Sequence, residues 1–145
     1  MTKLLLALDF GGTKHAAAVV APGERNFQDC RRALSPAGAD AGTDRKIMRS
    51  LAREVLGGEE PLAIGVSFGG PVDATTGTVR LSDRVLGWEN TPLRQMREEE
   101  FGVPVSVGKR GDRKGRLGPR SRDWQRRQRD KSPGFCSGRR RHQSR

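Results

Sequence analysis

Two rhythms of apolar residues alternate along the first hundred positions. Continuous apolar runs end at glycine pairs, "KLLLALDF" at Gly11-Gly12 and "PLAIGVSF" at Gly69-Gly70, as buried strands closed by tight turns do. "HAAAVVA" follows the first run at once, so residues 3–10 and 15–21 are expected to form a hairpin, with "NFQDCRRALS" supplying a third strand. From Thr43 the period lengthens. Ile47, Met48, Leu51, Ala52, Val55 and Leu56 recur at helical spacing, with Thr43 or Asp44 to cap the start and Gly57-Gly58 to end it. "TVRLS" reads as a short strand. Thr91-Pro92 opens a second helix, with Pro92 suited to its first position and Gly102 closing it. "VPVSV" then begins a third central strand. Strands, helix, strand, helix, strand is an α/β order.

That order stops at Val107. Beyond it Leu117, Trp124, Phe135 and Cys136 offer too little apolar surface to offset the entropy of ordering the segment, so residues 108–145 are expected to be a disordered tail behind a domain of residues 1–107. Charge divides at the same place. The chain carries a net +11, which alone would suggest a polyanion binder. Residues 108–145, however, hold 15 of the 28 Lys and Arg but 3 of the 17 Asp and Glu, leaving residues 1–107 almost neutral. Cys30 and Cys136 stand one in each part without metal-ligand spacing, so they give evidence for neither a disulfide framework nor a zinc motif. No apolar run approaches the ~20 residues that span a bilayer. The stretch from Leu4 to Leu8 is too short for a signal peptide and runs into Asp9, so a cytoplasmic protein with no membrane partner is expected.

Asp9-Phe10-Gly11-Gly12-Thr13-Lys14 carries the candidate chemistry. Two glycines let the backbone turn and approach an anion, while the Thr hydroxyl and Lys add donors for phosphate oxygens. A carboxylate at a strand end can hold a metal ion, usually through water. The spacing does not fit a P-loop, which needs G-x-x-x-x-G-K-[ST] before a helix. "DFG" without a preceding glycine-rich loop or a following H-R-D does not make a protein kinase. A plain hairpin turn remains the alternative for this hexapeptide taken alone. The second motif, "AIGVSFGGPVDATTGTVRLSDRVLGWENTPL", places glycines, a proline and an aspartate where a strand leaves the sheet, a common wall of ligand clefts in α/β folds.

Together these stretches resemble the ROK family (repressors, uncharacterised reading frames and sugar kinases) of the actin-like ATPase superfamily. "LALDFGGTKHAAAVV" is similar to its first phosphate motif. "IGVSFGGPVDATTGTVRLSDRVLGWENTPL" is similar to its sugar-side signature, and "EEEFGVPVSV" to the approach to its catalytic segment. The resemblance runs from Leu4 to Val107. It implies a partial actin-like ATPase (ribonuclease H-like) N-terminal domain and an ATP-dependent kinase for a hexose or hexosamine, glucose being the commonest substrate. By that carry-over Asp9 would help position Mg2+, and Gly11, Gly12, Thr13 and Lys14 would surround the ATP phosphates. Gly69 and Gly70 would lie beside the sugar. Family repressors carry a helix-turn-helix module ahead of the phosphate motif, and here Asp9 lies in the first strand, which favours kinase ancestry.

The pattern breaks after Val107. Family members continue into a segment like E-N-D-x-N-A-A-A-L-G-E, whose aspartate takes the proton from the sugar hydroxyl; here the continuation is "GKRGDRKGRLGPR", and Asp112 does not align with that base. No catalytic residue is therefore assigned, and the second phosphate motif and the zinc motif are absent. Read one nucleotide later, the codons for Gly108-Lys109-Arg110-Gly111 permit E-N-E-A, although not E-N-D-A. The basic tail is accordingly expected to be an out-of-frame reading of a kinase gene, and the chain a truncated, inactive kinase. The alternative is a noncatalytic nucleotide- or polyanion-binding protein, whose clustered arginines would hold phosphate backbones with strong salt dependence and little selectivity.

Overall fold

The computed structural model describes residues 3–82 and 85–109. Three antiparallel strands come first, β1 (Leu4–Phe10), β2 (Lys14–Val20) and β3 (Asp29–Leu34). Helix α1 (Ala41–Leu56) crosses back to β4 (Pro61–Phe68), which lies parallel to β1 on its other side. A two-stranded ribbon, β5 (Val72–Asp73) with β6 (Thr78–Val79), leads through α2 (Leu93–Phe101) to β7 (Val105–Lys109), parallel to β4. The five-stranded order is β3-β2-β1-β4-β7. This mixed α/β sheet is the architecture expected of a ribonuclease H-like, actin-like ATPase domain.

The pleat explains the burial. Leu4, Leu6, Leu8 and Phe10 of β1, Ile64, Val66 and Phe68 of β4, and Val105 and Val107 of β7 are buried at alternate positions. Met48, Leu51, Ala52, Val55 and Leu56 form the apolar stripe of α1 in the same core. A side-chain bond links the two helices, Arg49 Nε donating to Glu100 Oε1 at 2.8 Å.

The helix boundaries follow from capping. Asp40, and neither Thr43 nor Asp44, caps α1: its carboxylate accepts from the Thr43 backbone N–H at 2.8 Å and the Thr43 hydroxyl at 2.9 Å. Those bonds hold the Asp40 carboxyl below its ordinary pKa, the backbone bond from Thr43 being the larger cause. Gly57 ends α1 in the left-handed conformation (φ 57°), and Gly102 ends α2 likewise (φ 66°). Pro92 precedes α2 as its cap residue instead of occupying the first turn, and Thr91 is drawn into a bridge with Val79. The helix borrows its missing partner: the Arg94 N–H donates to the Gly77 carbonyl at the tip of the β5–β6 ribbon.

"TVRLS" contributes only Thr78–Val79 to a strand. At the other end β7 continues two residues beyond Val107, through Gly108 to Lys109. Cys30, half-buried on β3, is disulfide-bonded, a bond for which the cysteine spacing gave no evidence. Cys136 and the rest of the basic segment, with the expectation of disorder placed on it, lie outside the described residues. Among the described residues no helix is long and apolar enough to cross a membrane.

Candidate functional site

The two glycine pairs meet. β1 and β4 are paired to their last residues, Phe10 opposite Phe68, so both turns leave the same end of the sheet. The Gly69 N–H donates to the Phe10 carbonyl at 3.0 Å. A side chain at Gly69 would crowd that carbonyl (3.3 Å), and one at Gly70 would press on the Leu81 carbonyl at 2.8 Å and the Phe68 ring at 3.2 Å. These glycines are required by close approach of backbone and ring, not by a left-handed turn.

Between the turns opens a cavity of about 490 Å3, bordered by Gly11, Gly12, Gly69 and Gly70, with Asp44 and Lys109 among its charged neighbours. An aromatic group lies at the same end of the sheet. Trp88 meets Phe10 edge-on at 5.3 Å and Phe68 at 4.8 Å, so its ring joins the ends of both central strands. Trp88 is fully buried, and the Ala41 N–H at the start of α1 donates to the neighbouring Leu86 carbonyl at 2.8 Å. The "LGWENTPL" loop is thereby held against both the strands and the helix.

Four of the seven residues singled out in the sequence, Gly11, Gly12, Gly69 and Gly70, border this cavity. Asp9, Thr13 and Lys14 do not. Asp9 is buried, and the pleat sends it to the sheet face opposite Phe10. Thr13 and Lys14 are exposed at the tip of the β1–β2 turn, where the Gly11 N–H donates to the Lys14 carbonyl at 2.9 Å.

Sequence reasoning left His15 and Ser35 unassigned and offered Asp44 only as a helix cap. His15 Nε2 lies 2.9 Å and Ser35 Oγ 2.7 Å from the same Asp44 oxygen, and the rings of His15 and Phe10 pack edge-on. A carboxylate only accepts, so both neighbours donate to it. His15 was the available signal: a polar residue inside an otherwise apolar buried strand requires a partner. Behind the aromatic group Arg97 is buried, its guanidinium 5.7 Å from the Phe10 ring centre and paired with Glu100. Burial pulls its pKa below the ordinary arginine value, and the Glu100 charge opposes that shift.

An oxygen-rich donor set suits a hard cation such as Mg2+. Among the described residues no three His, Cys, Asp or Glu side chains are grouped to hold a metal ion. Asp9 is the carboxylate that the resemblance offers for such an ion, but it is buried and does not border the cavity, so the described residues do not form a site for the ion there.

No protein-family model matches the sequence, and no curated protein matches it. Solved structures do. A ROK family glucokinase from Streptomyces griseus, solved with glucose and AMPPNP, aligns with a TM-score of 0.64 and 27% identity over 73% of this chain and 33% of its own. A ROK hexokinase from Thermus thermophilus aligns at 0.62 and 28%, over 73% of this chain and 35% of its own. A putative N-acetylmannosamine kinase from Listeria monocytogenes shares the fold at 0.61 and 24% identity, over 74% and 35% of the two chains. The fold defined by this sheet and its helices is thus the actin-like ATPase fold that these solved structures share. Within it the chain is similar to the N-terminal part of the sugar kinases and spans about a third of their length.

Proposed function

We propose that residues 3–109 form one wall of an ATP-dependent hexose or hexosamine kinase, binding and orienting both substrates. The observation that carries this reading is the convergence of Gly11-Gly12 and Gly69-Gly70 on one cavity, tied by the bond from Gly69 N–H to the Phe10 carbonyl. Phosphoryl transfer depends mainly on positioning and on neutralising phosphate charge. The Gly11–Lys14 turn supplies backbone close to the ligand, with the Thr13 hydroxyl and Lys14 ammonium as donors on its exposed tip. Mg2+ would arrive with the nucleotide and neutralise phosphate charge, since Asp9 is buried away from the cavity. Gly69 and Gly70 would lie beside the sugar, their lack of side chains letting the turn pack closely against Phe10, Phe68 and Leu81.

Among the described residues we assign no proton acceptor for the sugar hydroxyl. The cavity's carboxylate, Asp44, is engaged by His15 and Ser35, and β7 ends at the cavity in Lys109. The chain therefore binds magnesium nucleotide and sugar without transferring phosphoryl groups at enzymatic speed. Titration calorimetry with Mg-ADP and with glucose, N-acetylglucosamine and N-acetylmannosamine tests the binding half. Nucleotide heat and at least one sugar heat are expected, the sugar's weakened by Gly70→Ala through the crowded Leu81 carbonyl. A coupled ADP-release assay tests the other half. Turnover at ordinary kinase rates would refute the absence of a base, and no binding of any of these ligands would refute the reading as a whole.

A further inference from the structure

The Gly11–Lys14 turn is not held by its own hairpin alone. Ser35, just past β3, grips it from the side: the Ser35 backbone N–H donates to the Thr13 carbonyl at 2.9 Å. The same residue's hydroxyl donates to Asp44 Oδ1 at 2.7 Å. His15, the residue after Lys14, reaches that oxygen from the other side at 2.9 Å. Both His15 and Asp44 are 1% exposed. One carboxylate oxygen in the first turn of α1 thus fixes the residue that holds Thr13 and the residue that follows Lys14.

Hydrogen bonds to a buried charged acceptor are among the stronger ones, because the partners cannot exchange it for water. Sequence distance argues that the link is more than local folding. Asp44 lies 29 positions from His15 and 9 from Ser35, so three separate elements share one acceptor directly behind the turn. His15 Nδ1 is buried without a hydrogen-bond partner among the described residues. The histidine is therefore oriented by Asp44 and by the edge of Phe10, not by a second polar contact.

We infer that Asp44 is a positioning residue. It locks Thr13 and Lys14 in the conformation that receives a phosphate-bearing ligand, acting through Ser35 and His15. The ligand half of this inference rests on the nucleotide reading of the turn; the conformational half does not.

The test uses the full chain carrying Asp44→Ala, Asp44→Asn and Ser35→Ala, read by amide hydrogen exchange and by Mg-ADP titration. Asparagine keeps an oxygen that can accept from both donors; alanine removes it. Asp44→Ala should speed exchange about tenfold or more at residues 11–15, as expected for losing two bonds to a charged acceptor. Protection in β4 should stay unchanged, and Mg-ADP should bind about tenfold more weakly. Asp44→Asn should restore both quantities to within about threefold. Equal protection of the turn in wild type and Asp44→Ala overturns the inference. So does a loss of protection spread evenly over β1 and β4, which marks a merely structural residue. Should Asp44→Ala fail to fold, Ser35→Ala decides, since it severs the tie and leaves the backbone bond to Thr13: a local increase supports the inference, and none overturns it. A wild-type chain that binds no Mg-ADP refutes the proposed function while the exchange measurement still settles the role of Asp44.

Discussion

Replacing Trp88 by alanine should undo the end of the sheet where the cavity lies. The indole is 1% exposed and meets two rings, Phe10 and Phe68, each the last residue of a central strand. Truncating a buried aromatic to alanine costs about 3–5 kcal/mol, of which the two edge-on contacts contribute about 0.5–1.5 kcal/mol each. A domain of this size is stable by about 5–15 kcal/mol in total, so the change removes a large fraction of it. At about 4–8 °C per kcal/mol the thermal midpoint should fall by at least about 12 °C. Urea unfolding followed by far-ultraviolet circular dichroism measures the loss. Leu86→Ala, two positions away and 78% exposed, is the control and should stay within about 0.5 kcal/mol of wild type. Trp88→Phe keeps a ring at the junction and should fall between them. A Trp88→Ala loss below about 1 kcal/mol, with an unchanged denaturant slope, would refute the role given to this ring.

Gly77 sits at φ 69°, with Arg94 Cβ inside van der Waals contact of any side chain placed there. Gly77→Ala should therefore destabilise by more than the ~1–2 kcal/mol of a left-handed alanine, whereas Gly23→Ala, at φ 82° with open space around it, should show only that cost; thermal unfolding of the two variants compares them. Asp40 has a depressed folded-state pKa, so its contribution is present above the ordinary carboxylate range and is lost as pH falls through the folded value. Asp40→Asn keeps a capping oxygen that does not titrate. Between pH 6 and pH 3 the wild-type midpoint should accordingly drop further than the variant's; equal drops would show that the cap's charge is irrelevant.

What could be read ahead was whatever repeats along the chain. β1 and β4 announce themselves because central strands paired on both sides carry near-continuous apolar runs, and α1 because its stripe spans four turns. Both glycine pairs were legible for the same reason, each closing such a run. Two-residue strands have no period to detect, so β5 went unseen and β6 was drawn too long. The start of α2 was misplaced because Thr91 is claimed by Val79, a tertiary pairing that overrides the preference of proline for the first turn. Asp44 looked like a cap and is instead a buried acceptor, since its partner His15 lies two strands earlier. Lys109 was assigned to the tail, but the register of β7 against β4 sets it opposite Phe68 beside the cavity.

β1 divides the sheet into halves whose partners arrive by different routes. On one side β2 and β3 follow through short connections; on the other, β4 waits for α1 and β7 for a ribbon and a second helix. Local antiparallel pairing closes small loops and forms early, whereas parallel neighbours need long crossovers. During synthesis the glycine turn after β1 should thus mature well before the opposite lip of the cleft exists. Pulse-labelled exchange during refolding would see protection spread from β2 towards β7, making ligand affinity among the last properties the chain acquires.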